Sequence, residues 1–132
     1  MANILILESE KRYRVLLRFI LEGINHRVRE IRDRDQLPDW TAEKAPDLLI
    51  LGIHLEGSLD DWPVWQRSLP DVPVLFLFSG DPELKSAFLK AWAGTTAIKC
   101  LDQPVDPYPF LSMVKAMLTT PVVWRHGGQH AV

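Results

Sequence analysis

The chain has 132 residues, enough for one core and too few for two complete domains. With 47% hydrophobic and 24% charged residues it is too apolar for a disordered chain, and a net charge of -2, with eight basic and seven acidic residues in the first forty, lacks the basic excess of a nucleic-acid binder. No apolar run approaches the ~20 residues of a membrane span, the opening MANILILESE has neither the length nor the basic flank of a signal peptide, and the single Cys100 can form no internal disulfide. A cytoplasmic protein that binds neither membrane nor nucleic acid is the expectation.

NILIL at 3–7 predicts a short strand, followed by Glu8, Ser9 and Glu10, whose side chains suit a helix start. From Lys11, Tyr13, Leu16, Leu17, Ile20 and Leu21 recur at helical spacing; Arg14 and Arg18 mark the wet side, and Gly23 supplies a stop. HRVREI alternates like a strand exposed on one face, and DRDQLPDWTAEKA gives a weak helix interrupted by proline. DLLIL is continuously apolar, as a strand buried on both faces should be, and it reaches Gly52 where the chain is expected to turn into SLDDWPVWQRSL, with Leu59, Trp62, Trp65 and Leu69 on one face. VPVLFLF is another buried strand. The helix after it carries Leu84, Ala87, Phe88, Ala91 and Trp92 inward and ends at Gly94. AIKCL makes a fifth strand, and a last helix places Phe110, Met113, Val114, Met117 and Leu118 on its inner side.

Five alternating units with short connections predict a doubly wound α/β domain, a five-stranded parallel sheet covered on both faces. The order 2-1-3-4-5 leaves the arginine-bearing second strand on an edge and the fully apolar first and third strands in the centre. Its crevice then lies above strands one and three, where Glu8, Ser9 and Gly52 meet.

In register and topology the chain resembles the receiver domains of two-component response regulators, the CheY-like, flavodoxin-like fold, over residues 2 to about 119, with 120–132 as a tail or the start of a linker. ILILESE resembles the family's first strand and acidic pair, APDLLILGIHLEG its phosphoacceptor strand and loop, VPVLFLFSG its fourth strand, and CLDQPVD its lysine-proline turn. Pro46, Asp47, Gly57 and Pro104 are the most telling retained features. Receivers take a phosphoryl group on an aspartate at the end of strand three, with Mg²⁺ on the acidic pair, a lysine on the phosphoryl oxygens and a hydroxyl that follows the new charge. By that resemblance the nucleophile's position reads Gly52, the acidic pair Glu8 and Ser9, the hydroxyl Phe78, the lysine Gln103 and the switch aromatic Cys100; a one-residue shift would put Ser79 in the hydroxyl position. The implied reading is a pseudo-receiver that cannot be phosphorylated at Gly52, uses no metal or other cofactor, is not an enzyme and keeps a cis bond before Pro104.

Such a module would act by contact with signalling proteins, a histidine kinase or an effector domain, and the family's face of fourth helix, fifth strand and fifth helix also supports homodimers. Lys85, Lys90, Lys99 and Lys115 are candidates for that surface. The alternative is an α/β domain that uses the crevice near Glu8, Gly52 and His54 for ligand binding or unrelated catalysis. Against it, Glu8 and Glu10 read as helix-start acids, and His54 as a surface loop histidine with no spacing that obliges a partner. Cys100 reads as a packing residue, and Arg12, Arg14 and Arg18 as solvated charges. His126 and His130 straddle Gly127 and Gly128, which suits a flexible tail better than a ligand pair, and Trp124 reads equally as packing on the domain or contacting a partner.

Overall fold

The computed structural model describes residues 2–31, 46–55, 72–90 and 98–119. Five strands, β1 (Asn3–Leu7), β2 (Arg27–Ile31), β3 (Leu48–Leu55), β4 (Val74–Gly80) and β5 (Ile98–Asp102), form one parallel sheet in the order β2-β1-β3-β4-β5, as the hydrophobic pattern predicts. Three helices are described: α1 (Lys11–Glu22), α2 (Pro82–Lys90) and α3 (Pro107–Thr119), the last two being the fourth and fifth helices of the sequence pattern. The expected second and third helices, with Trp62 and Trp65, lie outside the described residues. So do Ala91, Trp92 and Gly94 of the fourth, Gly57, and the tail with Trp124, His126 and His130.

The period-two alternation of the strands sorts their side chains into two cores. Ile4, Ile6, Leu48, Ile50, Leu75 and Leu77 face α1 and α3, packing with Leu17, Leu21, Phe110, Val114 and Met117. Leu5, Leu7, Leu49, Leu51, Val74, Phe76 and Phe78 occupy the opposite face, where Leu89 of α2 rests on them. In α3 the predicted inner stripe is the one found, but in α2 Ala87, expected inside, is exposed.

Helix α1 keeps most of its predicted face, with Leu17 and Leu21 buried and Tyr13 and Ile20 half-buried, but Leu16 is exposed and Arg14 is buried. Arg14 is therefore no solvated charge: its Nη1 donates to the Glu8 carbonyl at 2.8 Å and its Nε pairs with Glu30 on β2 at 3.2 Å. Arg18 does lie at the surface, paired with Glu22 and Glu30. The helix does not end through a left-handed glycine either. Gly23 is right-handed with its N–H on the Phe19 carbonyl, and the reversal falls at Asn25, φ 66°, a residue type that tolerates that region. Gly80, φ 109°, is where a side chain would be strained, at the exit of β4 towards α2.

Candidate crevice at the carboxyl edge of the sheet

Register alone assembles the site. Leu7 pairs with Leu51, so one further step sets Glu8 beside Gly52; His54 pairs with Ser79, and Phe78 with Asp102, so one further step sets Gln103 beside Ser79. Because neighbouring residues in a parallel ladder point to the same face, Glu8, Gly52, His54, Ser79 and Gln103 share the α1 side of the edge. Phe78 has the opposite parity and cannot join them. Its ring lies in the other core beside Phe76, 2% exposed, with the Lys85 ammonium 5.9 Å above it.

Gly52 is not at a turn, as the sequence suggested, since β3 runs three residues past it. Its φ is not in the left-handed region, so conformation does not demand a glycine there. Space does. A Cβ built on Gly52 would stand 2.1 Å from Glu8 Oε1 and 2.6 Å from Glu8 Cδ, so any side chain there requires the Glu8 carboxyl group to leave its hydrogen bonds. The carboxyl group of Glu8 fills the place where residue 52 would put its first carbon.

Glu8 is thus a crevice residue and not the helix-start acid expected; the cap of α1 is Glu10, whose carboxyl lies below its ordinary range because Arg12 hydrogen-bonds it. Fully buried, Glu8 needs partners, since an unpaired buried carboxylate costs several kcal/mol. It has three. Gln103 Nε2 donates to Oε1 at 2.8 Å, the Glu10 N–H donates to Oε2 at 2.8 Å, and His54 Nε2 stands 2.7 Å from Oε2. Gln103 is itself held by its N–H on the Phe78 carbonyl, and the Gln103–Pro104 bond is cis.

His54 is not an unpartnered loop histidine but the penultimate residue of β3, bonded on both ring nitrogens. Nδ1 lies 2.7 Å from Ser79 Oγ, and the ring stacks on Tyr13 of α1 with centroids 6.3 Å apart and planes at 7°. Ser9 is exposed and takes no part in these bonds. Among the described residues no three His, Cys, Asp or Glu side chains are grouped to hold a metal ion. A crevice of about 240 Å³ opens beside the row, lined by Phe78, Ser79, Gly80, Pro82, Lys85, Asp102 and Gln103. Lys85 donates to Asp102 at 2.6 Å across it.

Cys100 lies half-buried against the β-sheet core, where burial pushes its thiol above the ordinary range and Asp102 adds to the rise, against Lys85 and Lys99. Since thiolate is the reactive form, iodoacetamide at pH 8 should alkylate Cys100 at least about tenfold more slowly in the folded protein than in the urea-unfolded chain. Equal rates would show that the thiol is neither shielded nor shifted.

No helix among the described residues is long and apolar enough to cross a membrane. No protein-family model and no curated protein matches the sequence. Solved structures do. NtrX from Brucella abortus superposes with a TM-score of 0.68 at 25% identity over 89% of this chain, which spans about a quarter (26%) of that protein. A response regulator protein from Burkholderia multivorans aligns with a TM-score of 0.60 at 25% identity, over 93% of this chain and 99% of its own. The receiver domain of the hybrid histidine kinase CckA gives 0.65 at 23% identity, over 89% and 99%. With its 2-1-3-4-5 parallel sheet and a polar row at the carboxyl edge, the chain has the fold of response-regulator receiver domains, and those are the proteins it is similar to.

Proposed function

We propose that this chain is a receiver-like signalling module that is not phosphorylated at the acceptor position and works by binding other proteins in a two-component or related pathway. The observation that carries the reading is the steric exclusion at Gly52: the Glu8 carboxylate already occupies the acceptor's place. Gln103, at the lysine position, is committed to that carboxylate through its amide, and Glu8 has no oxygen without a donor to offer Mg²⁺. A receiver switches because a new dianion draws groups inward and so favours one of two states. Here the Glu8 carboxyl group already fills the acceptor's space, so regulation falls to abundance or to another ligand. Lys90, Lys99 and Lys115 are exposed and remain candidates for a partner surface, whereas Lys85 is half-buried and engaged with Asp102.

Incubation with acetyl phosphate and Mg²⁺ followed by intact mass measurement tests the reading. The mass should gain no acid-labile phosphoryl group. A stoichiometric gain of one, mapped to any crevice residue, would refute it.

A further inference from the structure

Ser79, His54 and Glu8 form a continuous chain of two 2.7 Å contacts, Ser79 Oγ to His54 Nδ1 and His54 Nε2 to Glu8 Oε2. The chain has a polarity that suits proton transfer in one tautomer of His54: with the proton on Nε2, the ring donates to Glu8, which also accepts from Gln103 and the Glu10 N–H, and Nδ1 accepts from the Ser79 hydroxyl. Nucleophile, base and orienting carboxylate are the parts of a serine acyl-transfer relay, here with the two ring nitrogens in exchanged roles relative to the serine-protease arrangement. Tyr13 stacks on the imidazole and Glu8 is wholly buried, so the base is held from the side and from behind. Ser79 is part-exposed and opens onto the 240 Å³ crevice, whose wall combines the apolar Phe78 and Pro82 with the Lys85 ammonium.

The geometry points to Ser79 as an activated nucleophile that accepts an acyl group from a small, neutral activated ester or thioester. In the step, Ser79 Oγ bonds to the acyl carbon while its proton passes to His54 Nδ1. The carbon's bond to the leaving oxygen or sulfur then breaks, and the leaving group departs with that proton. Lys85, paired with Asp102, is the cation among the residues lining that crevice. A phosphoryl donor is the wrong class, because a dianion would enter beside the Glu8 carboxyl group, and no metal-holding cluster lies among the described residues to offset it. The assignment goes beyond the binding role and does not depend on it: acylation adds 42 Da from an acetyl donor, phosphorylation 80 Da, so the two readings fail separately.

The test treats the whole chain at pH 7.5 with an uncharged fluorophosphonate probe and, separately, with p-nitrophenyl acetate. We expect one adduct, mapped to Ser79, formed at least about a hundredfold faster than on the same serine in the urea-unfolded chain, a gain in the range general-base catalysis provides. That comparison needs no variant. Ser79→Ala should abolish the adduct, and His54→Gln, checked for folding by circular dichroism, should slow it at least tenfold. Glu8 acts as a positioning residue among the groups facing His54, which are Glu8, Glu10, Tyr13 and Ser79; Glu8→Gln should therefore shift the pH profile of labelling, which a packing defect alone does not do. Labelling of Ser79 no faster than in the unfolded chain, or an unchanged rate in folded His54→Gln, overturns the assignment.

Discussion

Gly52→Ala should destabilise the protein by about 3–5 kcal/mol, although the change adds one methyl group to a strand. The new carbon cannot coexist with a carboxylate oxygen 2.1 Å away, so Glu8 must leave a site where three donors hold it. Displacing it leaves the Glu10 N–H and one Gln103 amide N–H without that acceptor, the other still on the Leu77 carbonyl, at about 1–3 kcal/mol for each unsatisfied group. For a chain of this size that corresponds to a fall in Tm of roughly 10–20 °C. Gly52→Asp should cost at least as much and should not restore phosphorylation by acetyl phosphate. On the proposed reading an aspartate at 52 does not by itself make an acceptor site, because Glu8 still competes for the space and position 103 still carries a glutamine bonded to it. An ordinary strand glycine, by contrast, would gain stability on replacement by alanine. The sign of the change in urea midpoint is therefore diagnostic.

Arg14→Ala should cost about 2–4 kcal/mol, a large effect for a residue whose sequence context suggests a solvated charge. Arg14 is 8% exposed and joins three elements, α1, the Glu8 carbonyl after β1, and Glu30 on the edge strand β2. Truncation leaves that carbonyl without its side-chain donor and removes a long packed stem as well as a charge. Arg14→Lys should recover only part of the loss, since one ammonium cannot reproduce two divergent N–H bonds. Arg14→Met should fall between them, keeping the stem and leaving Glu30 to Arg18. Urea unfolding of the three variants checks the order; a change within about 0.5 kcal/mol for Arg14→Ala would place the residue at the surface.

The architecture was legible because strand and helix periods are written in side-chain polarity. Continuous apolar runs such as DLLIL and VLFLF report burial on both faces, and the arginine-bearing RVREI reports an edge; the sheet order follows from those contrasts. Arg14 was misassigned because a polar residue on a helix reads as solvent-facing. Its spacing from Leu17 and Leu21 was the available signal, and Glu30, the partner that makes burial tolerable, lies on another element. That position 52 carries no side chain is plain from the sequence, but the reason for the glycine is not. That reason is a contact between residues 44 positions apart, and it depends on a strand register that no local pattern encodes. The His54–Ser79 pair was hidden in the same way: β3 extends past Gly52, and only its pairing with β4 brings the two side chains opposite each other. The sequence alone leaves Phe78 and Ser79 both open for one position, and strand parity separates them, the Phe78 ring packing with Phe76 and the Ser79 hydroxyl meeting His54.

The central claim is that Glu8 and a side chain at position 52 compete for one space, and a double-mutant cycle measures that competition directly. Urea unfolding is followed for the native chain, Gly52→Ala, Glu8→Ala and the double variant. With Glu8 truncated the space is free, so Gly52→Ala should cost less than about 1 kcal/mol in that background against at least about 3 kcal/mol in the native one, a coupling of ~2 kcal/mol or more. Equal costs for Gly52→Ala with and without the Glu8 carboxylate would contradict the account.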